Sequence, residues 1–91
     1  MVETSLVVSN DVGLHARPAA LFVALASKYL SSIWVKKGGT EIWVDAKSIL
    51  SVLMLGVESG QTIEIRAEGE DEAQAVTALS DLVISQFPGN A

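Results

Sequence analysis

Two runs of alternating apolar residues meet at Gly38-Gly39, and this junction constrains the fold more than any other stretch of the chain. A Gly-Gly pair between such runs signals a two-residue hairpin turn of the primed type. The register that follows sets Trp34 opposite Trp43, Val35 opposite Ile42 and Lys36 opposite Glu41. Ile33, Val35, Ile42 and Val44 then share one face, and the two tryptophans share the other with the Lys36–Glu41 pair. Ile33 to Val44 is therefore expected to form a hairpin, one face to the core and one open. Paired indoles on the open face would leave aromatic surface suited to weak self-association.

Around this hairpin the hydrophobic period switches repeatedly. Val2 to Ser9 alternates, with Thr4, Leu6 and Val8 on one side, and reads as a strand. Asn10-Asp11-Val12-Gly13 is turn-rich. Ala16 to Leu30 carries Ala19, Phe22, Val23, Ala26 and Leu30 at helical spacing, which predicts an amphipathic helix. Its second face holds Arg17, Ala20, Ala24 and Ser27, small enough for a flat partner to approach. Lys47 to Leu55 is a short apolar helix with Ser48 as N-cap and Gly56 at its end. Gln61 to Glu68 alternates with Ile63, Ile65 and Ala67 inward. The acidic stretch Gly69-Glu70-Asp71-Glu72 opens a last helix with Val76, Leu79, Val83 and Phe87 as its stripe, closed by Pro88-Gly89. The order β-α-β-β-α-β-α predicts an α+β, open-faced sandwich of two layers, with helices on one face of the sheet. Pattern alone leaves the strand order open.

The chain is 91 residues long, enough for one domain that buries roughly 60–65% of its unfolded surface. It has no cysteine, so it has no disulfide framework and no thiolate metal site. A single histidine with no carboxylate cluster beside it does not make a metal site either, and nothing calls for a cofactor. The net charge of −5 and the lack of a basic stripe argue against nucleic acid. No apolar run approaches the ~18 residues of a membrane span. The start, Met1-Val2-Glu3-Thr4, lacks the basic segment of a signal peptide, so a cytoplasmic protein is expected.

Chemistry concentrates at Gly13-Leu14-His15-Ala16-Arg17-Pro18. A lone histidine is ordinarily a surface or capping residue. Here it stands just before a helix, with Pro18 in the first turn, where proline is tolerated. The unpaired N–H groups and positive dipole end of a helix start disfavour an imidazolium and favour an anion. The site suits a neutral imidazole that accepts a phosphate, with Arg17 as a permanently charged planar clamp. Phosphate on Nδ1, the ring nitrogen nearer the backbone, would reach the N–H groups of Ala16 and Arg17. Ile49, Leu50 and Leu53 cannot all point inward on so short a helix. With Ala16, Ala20 and Ala24 they are expected to form an apolar docking surface around His15.

His15-Ala16-Arg17-Pro18-Ala19-Ala20, Asp45-Ala46-Lys47-Ser48-Ile49-Leu50 and Ala67-Glu68-Gly69-Glu70-Asp71-Glu72 occur in that order, and with them the whole chain resembles the HPr family. These are the histidine-containing phosphocarriers of the bacterial phosphoenolpyruvate-dependent sugar phosphotransferase system. The resemblance implies a four-stranded antiparallel sheet of order 1-4-2-3 with three helices on one face. It implies that His15 takes phosphate on Nδ1 from phosphorylated enzyme I and passes it to IIA domains, with Arg17 contacting the phosphate. It implies that Ser48 is a regulatory phosphosite where a bacterium has the HPr kinase/phosphorylase, a modification that can recruit a transcription regulator. It implies a carrier rather than an enzyme. The stretch from His15 to Ser48 is longer than in the enteric sugar-system form, with the extra length expected at Gly38-Gly39. That length and Leu53-Met54-Leu55 resemble the nitrogen-related paralogue NPr, and Asp45 stands where Asn or Ser is usual. The alternatives are an NPr-like carrier in a nitrogen-related chain and a regulatory module that binds without phosphate flux. The non-catalytic relative Crh lacks the histidine, and His15 speaks against that reading.

Overall fold

The computed structural model describes residues 1–88. Four strands, β1 (Val2–Val7), β2 (Ser32–Lys37), β3 (Val44–Asp45) and β4 (Thr62–Glu68), form one sheet in the order β1-β4-β2-β3. Every pairing is antiparallel. Three helices, α1 (Ala16–Ala26), α2 (Ile49–Met54) and α3 (Glu72–Ile84), complete the fold. β4 is central, so its alternation decides the layers: Ile63, Ile65 and Ala67 are buried, and Thr62, Glu64 and Arg66 are half-exposed on the other face. Phe22 and Ala19 of α1, Val52 of α2 and Leu79 and Val83 of α3 close the core over the buried face. In β1, Val2, Thr4 and Leu6 are half-buried and alternate with exposed residues, as the sequence predicts.

The hairpin does not take the expected register. Trp34 pairs with Asp45 and Val35 with Val44, two positions beyond the expected Trp43 and Ile42. The cause lies in the turn. Thr40 donates its N–H to the carbonyl of Lys37, and Gly39 has φ +84° while Gly38 does not adopt positive φ. Positive φ only at the third turn residue is the type II pattern, whose twist splays hairpin strands instead of zipping them. Thr40 reinforces the turn by donating its hydroxyl to the Lys37 carbonyl. Pairing resumes only at Val44, and Ile42 is left exposed.

A slip of two residues preserves the faces. The tryptophans remain on the side away from the helices but do not pair. The ring of Trp43 lies 4.1 Å from the Arg66 guanidinium and 5.1 Å from the Lys36 ammonium, and these cations occupy its surface. Lys36 is nearly buried there and also donates to the Thr40 carbonyl.

α1 stops at Ala26, short of the expected Leu30. Ser27 turns its hydroxyl back onto the Val23 carbonyl, and Lys28 and Tyr29 bond three residues back, which tightens and ends the helix. Leu30 is consequently 83% exposed and no part of the core, and Val23 is half-buried. The N–H groups of Leu30 and Ser31 donate to the Asp71 carboxylate, which ties this turn to the start of α3. Asp71 therefore does not cap its own helix with its side chain. α3 ends at Ile84, short of the expected Phe87: Gln86 and Phe87 adopt positive φ and break the helix, so Phe87 is buried from beyond α3 and not as part of its stripe. Gly89 of the expected Pro88-Gly89 stop lies outside the described residues.

Candidate functional site

The loop before α1 is built on a close approach. Gly13 has φ +70°, and a Cβ there would sit 2.4 Å from the Val57 carbonyl oxygen, so no other residue fits without displacement. Leu14 donates its N–H to that same oxygen at 3.0 Å and buries its side chain completely. Asn10 donates its side-chain amide to the Gly13 carbonyl. His15 follows as the N-cap of α1 in extended conformation, and its side chain makes no capping bond. Ala16 then has φ +51°, rare for a residue with a Cβ and worth roughly 1–2 kcal/mol of strain. The regular helix expected from Ala16 onward thus begins with an irregular residue. Pro18 is buried in the first turn.

His15 is half-exposed, and its Nε2 lies 3.2 Å from Oε2 of Glu58. Arg17 donates from its guanidinium to the carbonyls of Phe87 (3.2 Å) and Pro88 (3.1 Å). The helix start and the His15 ring are thus held by one loop, at Val57 and Glu58, and the guanidinium by a second part of the chain, at Phe87 and Pro88. Sequence reasoning missed both partners. Glu58 lies 43 positions from His15, and the carbonyls of Phe87 and Pro88 leave no trace in residue type. The only hint was Gly13, whose conformation demands a close neighbour.

Ser48 caps α2 as predicted, its Oγ accepting the N–H of Ser51. Gly56, in positive φ, follows the end of the helix. Asp45 accepts the N–H of Lys47, and Lys47 reaches the Tyr29 carbonyl with its ammonium. α1 and α2 pack against each other. Ala16, Ala20 and Ala24 are exposed, as are Ile49 and Leu50, the latter by 67%. Leu53 differs from expectation: it is half-buried and packs against the core. Met54, not anticipated, is 80% exposed.

The model of the family described as "PTS HPr component phosphorylation site" matches residues 2–85. The chain is 39% identical over 87 residues to the phosphocarrier protein HPr of Neisseria meningitidis serogroup A, covering 96% of each chain. A crystal structure of HPr from Thermoanaerobacter tengcongensis superposes with a TM-score of 0.91 at 47% identity over the full length of both chains. The chain belongs to the HPr family. The HPr-like protein Crh of Halalkalibacterium halodurans is also a relative, 46% identical over 79 residues, covering 87% of this chain and 92% of that one. HPr proteins are phosphocarriers of the phosphotransferase system rather than catalysts. The sheet order and three helices expected from the resemblance are those observed. Among the described residues no helix is long and apolar enough to cross a membrane.

Proposed function

We propose that this chain is a cytoplasmic carrier that accepts a phosphoryl group on Nδ1 of His15 from phosphorylated enzyme I and delivers it to IIA domains of sugar transporters. The observation that carries this reading is the start of α1: a half-exposed histidine in the N-cap position whose side chain makes no bond to its own helix. A neutral imidazole is a competent nucleophile near pH 7, and the P–N bond it forms is labile enough to pass phosphate on. The N–H groups of Ala16 and Arg17 and the helix dipole favour the anion, the dipole by about 0.3–1 kcal/mol. Arg17 exchanges its carbonyl acceptors at Phe87 and Pro88 for phosphate oxygens. Phosphate oxygens add an opposite charge and a bidentate geometry that the neutral carbonyls lack, so the exchange favours the phosphorylated state.

The partner surface in this reading is the apolar area of Ala16, Ala20, Ala24, Ile49 and Leu50, with Leu53 at its margin. Ser48 sits beside it. A phosphate there adds about −1.5 to −2 charges, which a partner's acidic surface would repel and which docking would strip of water. That is the regulatory role proposed for Ser48, written by an HPr kinase/phosphorylase and read by a transcription regulator. A solved relative described as Crh, the catabolite repression HPr of Bacillus subtilis, 40% identical to this chain, supports this regulatory reading as a second role.

Incubation with enzyme I, phosphoenolpyruvate and magnesium is the test. Acid-labile phosphate should appear on the protein and vanish in His15→Ala. Phosphorus–nitrogen coupling in NMR should assign it to Nδ1, and Arg17→Ala should retain acceptance but exchange more slowly. Phosphate on Nε2, or acceptance surviving in His15→Ala, would overturn the proposal.

A further inference from the structure

We infer that Glu58 is a positioning residue for His15: its carboxylate selects the ring tautomer that carries the proton on Nε2 and the lone pair on Nδ1. The inference rests on the reading of His15 as phosphoacceptor and extends it to a residue outside the motif. A neutral imidazole holds one proton, on either nitrogen, and only the bare nitrogen is nucleophilic. A carboxylate can only accept, so the nitrogen facing it must be the protonated one. Oε2 of Glu58 faces Nε2 at 3.2 Å, and Nδ1 is left bare.

The contact comes from a backbone held on several sides. The Glu58 N–H donates to the side chain of Gln61 at 2.7 Å, and the Gln61 N–H returns to the Glu58 carbonyl. Gly60 donates to the Val8 carbonyl and Leu14 to the Val57 carbonyl, so the 57–61 loop is fixed to the loop that carries His15. A Cβ on Gly13 would collide with Val57 and Glu58, so this glycine lets the two loops meet.

In phosphoryl transfer the Nδ1 lone pair forms the new bond to phosphorus. The donor's bond to phosphorus breaks, and its electron pair stays on the donor. Nε2 keeps its proton throughout, so the ring becomes a phosphorylated cation and no base is required. The Glu58 carboxylate then lies against that positive charge, on the ring nitrogen away from the phosphate. When phosphate leaves, its bonding pair returns to Nδ1 and the ring is neutral again.

The test is nitrogen-15 NMR of the His15 ring in the full chain at alkaline pH, where imidazole is neutral. The Nε2-protonated form should predominate in the parent protein. In Glu58→Ala the ratio of Nδ1-protonated to Nε2-protonated ring should rise about two- to fivefold, the range for an exposed charged contact. Glu58→Lys, which can only donate, should shift the ratio further in the same direction and slow phosphate acceptance. Glu58→Gln, which can accept or donate, should fall between the parent and the lysine variant. A ratio unchanged in both Glu58→Ala and Glu58→Lys would overturn the inference, as would a predominantly Nδ1-protonated ring in the parent. Tautomer shifts as expected in a protein that takes no phosphate on His15 would instead sink the phosphoacceptor reading and leave the Glu58 contact standing.

Discussion

The starts of α1 and α2 are built alike and finished differently. Each is preceded by an extended residue, His15 at φ −130° and Ser48 at φ −108°. Ser48 folds its hydroxyl back onto the third residue of its own helix, so α2 is closed by local chemistry. His15 turns its ring outward to Glu58, 43 residues away, and α1 gets no such cap. The start of α3 is a third variant, where Asp71 serves the turn at Leu30 and Ser31 instead of its own helix. A cap residue that leaves its helix costs local stability, and the tertiary structure must supply what holds the side chain. At α3 the result is a staple between elements; at α1 it is a helix start and a histidine, both within reach of a ligand.

The largest effect should come from removing what lets the α1 side differ. Gly13→Ala puts a methyl group 2.4 Å from a backbone oxygen at positive φ, and should cost roughly 3 kcal/mol. Denaturant unfolding would measure the loss, and NMR should show the His15–Glu58 contact weakened. A fully stable Gly13→Ala protein with that contact intact would break the comparison.

Next is Leu50→Glu, which places a charge on the exposed face of α2. It should slow transfer from enzyme I at least tenfold, about 1.4 kcal/mol, with unfolding unchanged. Unaltered transfer kinetics would remove α2 from the docking surface.

Ser48→Ala should cost about 1 kcal/mol of stability, the usual worth of an N-cap, and leave acceptance of phosphate at His15 within a few-fold. Ser48→Asp should slow acceptance. Loss of transfer in Ser48→Ala to the same degree would show that the two helix starts are not separable.

The smallest effect is a slope at acid pH. The Ser31 hydroxyl, then the Leu30 N–H, hold the Asp71 carboxyl below the usual range, and the Gly69 N–H does the same for Glu72, helped by the Met1 ammonium. Both groups bind protons less readily folded than unfolded, so their contribution is complete at neutral pH. It fades below about pH 5 as each carboxyl is protonated. Asp71→Asn should flatten that slope; an unchanged acid profile would mean Asp71 contributes nothing as an anion.

Much of this molecule was legible in its residues because short-range physics governs those parts. The inward set Ile63, Ile65 and Ala67 follows from the two-residue period of a strand, and the stripe of α3 from the helical period. Ser48 and Gly56 mark the ends of α2 because caps act within one turn. The hairpin failed where a single torsion decides. Gly-Gly permits several turns, and the type II choice, held by Thr40 on Lys37, moved the pairing by two residues. Leu30 failed because Ser27 ended α1 and Asp71 claimed the next two N–H groups.

The sequence by itself determined the faces of the sheet, the number and kind of elements, and the place of His15 and Arg17 at a helix start. These depend on periodicity and on groups a few bonds apart. Only the tertiary structure decided what those two side chains touch. Glu58 reaches His15 because two loops close on Gly13, and Arg17 finds carbonyls that Phe87 and Pro88 present after positive-φ residues at the end of α3. Backbone carbonyls are the same in every residue, and a carboxylate 43 positions away carries no local mark, so such partners exist only once the chain has folded.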